Sequence, residues 1–544
     1  MANKKQSSFL KQAAILGAAG ILVRIIGMLY RSPLTAIISD EGNGYYGAAY
    51  NIYTIILLIS SYSIPLAISK IISAKLALHE YKNAHRVFIC ALWYVVIVGS
   101  TASLFTWFAA DLLVEANSVP ALKVLAPTIF FSGLLGVLRG YFQAHGSMLQ
   151  TSLSQIIEQL INAFVSIWAA WLLTRAYVGT ADISQIPIKG AAGGALGTGA
   201  GVAAGLIFML FVYLLNRSFI SKRLERDKHT HVQSYKTIFK TILFMVTPVI
   251  FSTFIYNSIT AIDSTLYYKI MMYLKNWSEE QSAIQYGVFS AKYTVIINIP
   301  IALASSISSA MIPSVSASYE TGDLEAAHTR INEAIRFTML LAIPATVGIG
   351  ILANPIITLL FPQPETLVLA SDLLRAGCIC IIFYALSTVT NAVLQGIGKV
   401  NIPMRNAAIA LVIHLIILVP LLMFTELNLY ALLLGTVAYS LTMCLLNDWS
   451  VKKYLGFHLE LKKSFFLPAL SAGIMGIVTW ASYYFFRIIG MGNIISLAIS
   501  VACSMIVYFM AILKTKAITK DELSRFPKGN TLIRLGQKLR LLDK

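Results

Sequence analysis

The chain has 544 residues, of which 57% are hydrophobic and 12% charged, with a mean hydropathy of +0.73 and a formal net charge of +18. A soluble protein keeps about 25% charged residues, so this composition excludes a soluble enzyme and indicates an integral membrane protein. The positive charge is expected to orient the chain in the bilayer and to contact anionic lipid rather than nucleic acid.

Apolar runs long enough to cross a hydrocarbon core of about 30 Å recur along the whole chain. The sequence predicts an all-α integral membrane fold with fourteen transmembrane helices, at 9–30, 46–73, 87–110, 122–143, 151–174, 190–215, 239–262, 285–312, 331–353, 370–395, 404–424, 429–449, 465–486 and 493–513. The first run lacks a small-residue cleavage pattern and is followed by further spans, so no cleavable signal peptide is expected.

The distribution of Lys and Arg predicts the orientation of these spans. If the amino terminus is cytoplasmic, about 30 of the 42 basic residues fall in inner loops and tails and about 8 in outer loops, as the positive-inside rule requires. Both termini are therefore predicted to be cytoplasmic.

Short sequence matches indicate that a six-span unit is repeated in the same orientation. Tyr46-Gly47 recurs as Tyr286-Gly287, and Leu196-Gly197-Thr198 recurs as Leu434-Gly435-Thr436. Parallel repeats of this kind are typical of secondary transporters.

The predicted organisation is an N-lobe at 1–215, a basic cytoplasmic linker at 216–240, a C-lobe at 241–453, two additional spans within 464–513, and a basic cytoplasmic tail at 514–544. The linker is expected to contain a short surface helix. The glycine-rich sixth span is expected to pack tightly inside the N-lobe, and a glycine hinge is the alternative.

Ionisable residues inside spans are energetically expensive and usually face a cavity or a partner. Arg24 and Lys292 are predicted to lie at one depth in the outer half of the membrane, without an acidic neighbour one helical turn away. Two such cations favour a hydrated anion pocket, and snorkelling or hidden pairing is the alternative.

Other charged residues leave more than one interpretation open. Arg139 and Glu158 are predicted at matching depths on consecutive helices, as a structural ion pair or, in the second place, as a cytoplasmic gate or a substrate contact. Lys70 either snorkels or faces the mouth of a cavity. Arg31 is placed in a loop at the outer mouth together with Asp40 and Glu41. Glu158 and Asp263 are the candidates for a coupling-ion site, and solvation at the outer end of the seventh span is the alternative for Asp263.

No sequence pattern indicates enzymatic or metal chemistry. Gly396-Ile397-Gly398-Lys399 lacks the length and the Ser/Thr of a phosphate-binding loop. Cys378-x-Cys380 has no second ligand pair nearby, so no metal site is predicted. We expect a transporter that is not an enzyme and uses no cofactor, driven by the membrane potential or by a Na⁺ or H⁺ gradient.

Several segments resemble one family of exporters. They are RIIGMLYRSPL (24–34), EGNGYYGAAYNIY (41–53), SIPLAISKIISAK (63–75), LRGYFQAHGSM (138–148), NIPIALASSISSAMIPSVSAS (298–318) and LQGIGKVNIP (394–403). These segments resemble stage V sporulation protein B-type polysaccharide flippases. That group belongs to the multidrug/oligosaccharidyl-lipid/polysaccharide exporter superfamily and is similar to lipid II flippases of the MurJ type.

The resemblance implies two six-helix lobes around a cavity that opens alternately to each side, and it explains spans thirteen and fourteen as a groove for a lipid tail. It also implies that cations on the first, second and eighth helices hold a lipid-linked pyrophosphate, which here assigns Arg24, Lys70 and Lys292, with Arg31 as an addition. Arg grips phosphate oxygens as a bidentate fork, whereas Lys acts as a point charge.

The first functional interpretation is a flippase, in a bacterial cytoplasmic membrane, for an undecaprenyl-pyrophosphate-linked cell-wall precursor such as lipid II. Its expected partners are the lipid-linked saccharide, membrane lipids and cell-wall synthesis enzymes. Alternatives are a flippase for teichoic, exopolysaccharide or spore-cortex units, a cation-coupled multidrug exporter, and a membrane scaffold that transports nothing. The scarcity of intramembrane acids argues against the drug exporter, and the intramembrane cations argue against the scaffold.

Overall fold

The structure is a computed structural model of the chain, and it describes residues 19–20, 22–62, 64–225, 227, 232–361, 363–518, 523, 533–534 and 537. The start of the predicted first span (9–18), linker residues 228–231 and most of the predicted tail lie outside the described residues. Helices dominate, and no β-strand occurs in the described part of the chain. The all-α prediction is therefore confirmed. Helices are expected in lipid because they satisfy the backbone hydrogen bonds within one segment.

Packing divides the chain into two compact units, Met1–Ala291 and Lys292–Lys544. The division falls inside the predicted eighth span, because the helices of the predicted seventh span and of the start of the eighth pack on helices of the first unit. These units are thus distinct from the six-helix lobes of the repeat, which stay a prediction.

The first unit contains eleven helices among its described residues. They are α1 (Leu22–Leu29), α2 (Arg31–Leu57), α3 (Ile64–Ala77), α4 (Tyr81–Phe108), α5 (Ala110–Leu113), α6 (Val119–Ala144), α7 (Leu149–Thr174), α8 (Gln185–Leu215), α9 (Arg217–Glu225), α10 (Tyr235–Lys269) and α11 (Glu279–Gly287). The short helix α9 has no buried residue, so the expected surface helix in the linker is confirmed.

The second unit continues with helices of similar length. They are α12 (Thr294–Glu320), α13 (Leu324–Ile351), α14 (Ala353–Leu360), α15 (Leu367–Gly377), α16 (Cys380–Gly396), α17 (Asn401–Phe424), α18 (Leu429–Leu455), α19 (Leu467–Ile488) and α20 (Asn493–Lys514). Short π-helical segments occur at Leu58–Tyr62, Ile270–Leu274, Val288–Tyr293 and Lys462–Phe466. Such segments are frequent at functional sites.

Ten described helices are long and apolar enough to cross a membrane, or up to twelve spans if each of two bent pairs counts as one. The bent pairs are Leu22–Leu29 with Arg31–Ser61 and Leu367–Gly377 with Cys380–Gly396, each with a bend of 46°. The chain is therefore a multi-pass membrane protein, and the finer count of fourteen spans with both ends cytoplasmic stays a prediction.

The predicted outer loop at residues 31–45 is helical, which corrects the sequence interpretation. Within α2 only Ser39 leaves helical geometry, with φ 63° and ψ −179°. The Asn43 amide nitrogen bridges this break, since it donates to Thr35 Oγ1 and to the Ser39 carbonyl, both at 2.9 Å. Local hydrogen bonds of this kind let a polar segment stay folded at a helix junction.

The glycine-rich span α8 packs against α7, as expected. A Cβ built at Gly201 would lie 2.5 Å from the Glu158 carbonyl oxygen, and one at Gly193 would lie 2.5 Å from Cα of Ala170. Contacts this short exclude any side chain, so the glycines are needed for backbone approach. The packing interpretation of this span is confirmed.

A buried amide network joins three helices of the second unit. The Asn447 amide on α18 donates to Asn391 Oδ1 on α16 at 2.8 Å, and the Asn406 amide on α17 donates to Asn447 Oδ1 at 2.9 Å. Hydrogen bonds between membrane helices contribute about 0.6 to 2 kcal/mol each. The network therefore fixes the register of these three helices.

Candidate functional site

Arg31, at the start of α2, lies against tyrosine rings. Its guanidinium carbon is 5.2 Å from the ring centroid of Tyr46 and 5.9 Å from that of Tyr30. The side chain is half-buried and forms no ion pair with a carboxylate within the described residues. Cation–π contact holds the guanidinium without neutralising it, so Arg31 keeps its charge for an anion.

Three tyrosines continue from Arg31 along one face of α2. Tyr46, Tyr50 and Tyr53 are spaced by four and three residues, which places them on the same side of the helix. Consecutive ring centroids are 5.6 Å apart in both pairs. Aromatic faces with hydroxyl groups at their edges can pack on sugar rings and hydrogen-bond to them. We name Arg31 and these three residues the tyrosine face.

Arg139 on α6 and Glu158 on α7 form an ion pair. Arg139 Nη2 lies 2.7 Å from Glu158 Oε2, and Arg139 Nε donates to Ser154 Oγ at 2.8 Å. The side chains are 16% and 29% exposed, so the pair is only partly shielded from solvent. The helices therefore bring these two predicted residues together, as the ion-pair interpretation requires.

The ion pair lies close to the tyrosine face. Tyr50, a member of this face, is within electrostatic range of both Arg31 and Glu158. Tyr53 is also close to Glu158, and its hydroxyl is 3.5 Å from Ser132 Oγ. Three of the sequence-predicted site residues, Arg31, Arg139 and Glu158, thus border one polar surface of the first unit. It combines an uncompensated cation, a neutralised ion pair and aromatic hydroxyls, and Tyr50 is its partly exposed ring, because Tyr46 and Tyr53 are only 1% and 3% exposed.

Arg24 on α1 and Lys70 on α3 are exposed. Neither side chain takes part in an ion pair or a cation–π contact within the described part of the chain. Their charges are therefore available, but the structure does not join them to the tyrosine face.

Lys292 is completely buried, which corrects the expectation that it faces a hydrated pocket. Its ammonium group donates to Thr366 Oγ1 at 2.7 Å and lies 5.9 Å from the ring centroid of Phe361. A cation excluded from water needs such partners, since desolvation without them costs several kcal/mol. Lys292 also lies in the π-helical segment Val288–Tyr293. In this conformation an anion reaches it only after the contact with Thr366 opens.

Asp263 on α10, the second candidate for a coupling ion, is also buried, and it lies within electrostatic range of Tyr286. Glu158 is engaged by Arg139. Among the described residues, no group of three or more His, Cys, Asp and Glu side chains is placed to hold a metal ion. A coupling-ion site at Glu158 or Asp263 stays a prediction.

Sequence reasoning missed a close helix crossing between α2 and α11. A Cβ built at Gly287 would lie 1.8 Å from the Asp40 carbonyl oxygen, and one at Gly44 would lie 2.0 Å from the Ala283 carbonyl oxygen. The Asn51 amide donates to the Tyr286 hydroxyl at 2.8 Å beside this crossing. The recurring Tyr-Gly dipeptides were the available signal, because they mark the helices that meet here.

Breaking the Arg139–Glu158 ion pair is expected to destabilise the first unit. Glu158→Gln leaves a half-buried guanidinium without its counter-charge, which should lower the free energy of unfolding by about 1 to 3 kcal/mol, between the values for exposed and buried pairs. Thermal unfolding in detergent measures this loss. Arg139→Glu combined with Glu158→Arg should recover part of it.

The exposed pair Lys123–Asp111 is the matched control, because its atoms are 3.1 Å apart and its side chains are 35% and 66% exposed. Lys123→Gln should change stability by less than about 0.5 kcal/mol. Equal losses for Glu158→Gln and Lys123→Gln would contradict a structural role for the Arg139–Glu158 pair.

Long apolar helices and a half-buried, uncompensated cation beside aromatic hydroxyls define a multi-pass membrane protein of transporter type. A family model described as polysaccharide biosynthesis protein matches residues 9–318, and one described as MatE matches residues 291–419. The chain belongs to the polysaccharide biosynthesis protein family. The resemblance of the sequence segments to the multidrug/oligosaccharidyl-lipid/polysaccharide exporter superfamily is confirmed.

Curated relatives and solved structures agree with this assignment. The chain is 24% identical to lipid II flippase MurJ of Bacillus subtilis (strain 168) over 502 residues, 88% of this chain and 90% of the relative. It is 23% identical to stage V sporulation protein B of the same organism over 536 residues, 97% of this chain and 99% of the relative.

The fold is similar to that of solved transporters. A structure of lipid II flippase MurJ in an inward closed conformation matches with a TM-score of 0.65 at 16% identity, over 92% of this chain and 98% of that one. An inward-facing multidrug resistance MATE family transporter of the MOP superfamily matches with a TM-score of 0.65 at 16% identity, over 83% and 99%. At this identity the two structures support the fold.

Proposed function

We propose that the chain flips an undecaprenyl-pyrophosphate-linked cell-wall precursor, lipid II in the first place, from the inner to the outer leaflet of a bacterial cytoplasmic membrane. The observation that carries this proposal is the half-buried guanidinium of Arg31, which lies over two tyrosine rings with no carboxylate partner among the described residues. A diphosphate cannot cross hydrocarbon unaided, because burying its charge without a partner is prohibitive.

The remaining cations receive roles that follow from their surroundings. Arg31 holds phosphate oxygens as a bidentate fork, and Tyr50, the partly exposed ring of the tyrosine face, packs on the attached sugars. Arg24 and Lys70, which are exposed, make the first contacts with the diphosphate. Lys292 joins after its hydrogen bond to Thr366 opens. The polyprenyl tail stays in the bilayer, and spans thirteen and fourteen guide it.

The energy for net movement comes from an ion gradient or from the membrane potential. Moving one charge through 100 mV is worth about 2.3 kcal/mol. The membrane potential can therefore drive the return of the empty, cation-bearing site. A Na⁺ or H⁺ site at Glu158 or Asp263 is the competing proposal. Cell-wall synthesis enzymes are the proposed partners, and no chemical conversion of the cargo is required.

A second cargo is a different lipid-linked polysaccharide unit, such as a spore-cortex, teichoic or exopolysaccharide precursor. The alignment with stage V sporulation protein B covers 97% of this chain, which favours this alternative specifically. A cation-coupled multidrug exporter shares the fold, but an uncompensated Arg31 suits an anionic cargo better than a cationic drug.

Complementation of a lipid II flippase null strain tests the first cargo. Expression of the chain should restore growth and the amount of lipid II accessible on the outer leaflet. Failure of both, with normal membrane expression, would reject lipid II as the cargo. Restored accumulation of a different lipid-linked saccharide in its own flippase mutant would then support the second cargo.

A further inference from the structure

A cavity of about 200 Å³ in the first unit lies apart from every residue assigned to the cargo. It is bounded by the end of α3, the start of α4, the ends of α6 and α8, and the surface helix α9. Because α4, α6 and α8 are candidate spans, their ends place this cavity at the level of lipid head groups. We name it the interfacial pocket.

The linker builds one wall of the interfacial pocket and is held in place by hydrogen bonds to the start of α4. Asp227 accepts from the Lys82 backbone N–H at 2.7 Å, and the Gln233 backbone N–H donates to Asn83 Oδ1 at 2.9 Å. Arg86 Nη1 donates to the Gln233 carbonyl at 2.8 Å. The pocket is thus a built feature and not a gap beside a loose tether.

Arg223 supplies the charge of the interfacial pocket. Its guanidinium carbon is 4.4 Å from the Phe219 ring centroid and 5.8 Å from that of Tyr81. It is half-buried and has no ion-pair partner within the described residues. In the described part of the chain, Arg223 is the one charged residue of the pocket lining, and two acids of the neighbouring segments are engaged, because Glu80 pairs with Lys75 at 2.9 Å and Asp227 accepts from Lys82. The pocket therefore carries a net positive charge.

Polar atoms of uncharged side chains complete the lining. His145 Nδ1 is 2.9 Å from the Tyr141 carbonyl, so this nitrogen carries the proton and Nε2 accepts. Burial lowers the pKa of His145 and the Arg223 charge lowers it further, against the opposing effect of that hydrogen bond. His85 Nδ1 is buried without a hydrogen-bond partner. Ser147 donates to Gln150 Oε1, which leaves the Gln150 amide hydrogens for a ligand.

We propose that the interfacial pocket binds a phosphodiester that carries hydroxyl groups. The guanidinium of Arg223 binds the phosphate oxygens, for which its planar fork is suited. The Gln150 amide donates to the same ligand, and Nε2 of neutral His145 accepts from a ligand hydroxyl. The rings of Tyr81, Tyr141 and Phe219 pack on its carbon atoms.

This chemistry has two sources, the glycerol head group of an anionic phospholipid and a soluble glycerophosphodiester. The position at the span ends makes both accessible. A single arginine and a cavity of about 200 Å³ suit one phosphate with a short polyol. The proposal does not depend on the cargo, so its failure leaves the flippase assignment untouched.

Retention of ligands by the purified full chain, measured by native mass spectrometry in detergent, tests the proposal. Titration with phosphatidylglycerol should give saturable binding, whereas phosphatidylethanolamine, which lacks both the net charge and the hydroxyls, should bind about tenfold more weakly. Glycerophosphoglycerol, the soluble diester, forms the third arm.

Arg223→Gln should weaken retention of phosphatidylglycerol by about tenfold, the value of one charge-assisted hydrogen bond. Lys222→Gln is the matched control, because Lys222 is the exposed neighbour on α9 and does not line the pocket. It should bind as the unmodified chain does. Binding of phosphatidylglycerol alone identifies a membrane lipid as the ligand, and binding of both diesters identifies the shared head group. Equal retention of the two phospholipids, or unchanged retention by Arg223→Gln, would overturn the proposal.

Discussion

Arg31→Ala is expected to reduce flipping of the lipid-linked precursor by about 10- to 100-fold, the value of one or two charge-assisted hydrogen bonds lost from a bound diphosphate. Folding should be preserved, because the Arg31 side chain contacts the rings of Tyr30 and Tyr46 and hydrogen-bonds to Tyr30, and no carboxylate among the described residues depends on it. Lipid II accessible on the outer leaflet of a complemented null strain measures the loss.

Arg31→Lys separates charge from geometry, because lysine keeps the charge but not the fork, so it should recover only part of the activity. Arg175→Ala is the matched control. Arg175 also lies over an aromatic ring, 5.0 Å from the Trp171 centroid, but it is exposed at the end of α7. Its loss should leave flipping unchanged. Full activity of Arg31→Ala at normal expression would remove Arg31 from the site.

Hydropathy predicted the helices well where apolar runs are uninterrupted. The predicted spans 122–143 and 151–174 fall within α6 (Val119–Ala144) and α7 (Leu149–Thr174). Backbone groups in lipid must be satisfied within a segment, so a long apolar run has almost no alternative to a helix. The ion pair of Arg139 with Glu158 was also accessible, because consecutive antiparallel helices place matched depths side by side.

The polar parts of the site were harder to predict from sequence. Residues 31–45 contain Asp40, Glu41 and Asn43 and resemble a loop, yet they are helical, and the Asn43 amide nitrogen and the Glu41 carboxylate form hydrogen bonds within the segment. The tyrosine face depends on distant partners, as the contact of Tyr46 with Thr198 across 152 positions illustrates. Burial of Lys292 depends on Thr366, 74 residues away. Periodicity within one helix carries no information about such partners.

Gly287→Ala is expected to open the crossing of α2 with α11 and to abolish flipping. The added Cβ would meet the Asp40 carbonyl oxygen at 1.8 Å, and this atom belongs to the backbone and cannot rotate away. The helices must separate, which should lower the free energy of unfolding by about 1 to 3 kcal/mol. Thermal unfolding in detergent and rescue of a lipid II flippase null strain measure the two effects.

Gly473→Ala on α19 is the matched control, because a Cβ at Gly473 has no atom within 4 Å. Alanine in a helix interior is favoured over glycine by about 1 kcal/mol, so this variant should be as stable as the unmodified chain or more so. Tyr286→Phe tests the same crossing more gently, since it removes the hydroxyl that accepts from Asn51 at 2.8 Å and also hydrogen-bonds to Ser264, and it should cost about 1 to 2 kcal/mol. If the crossing stays closed during transport, Tyr286→Phe lowers stability alone. If it opens, flipping changes as well, because the closed state becomes less populated. Normal stability and normal rescue by Gly287→Ala would contradict the contact itself.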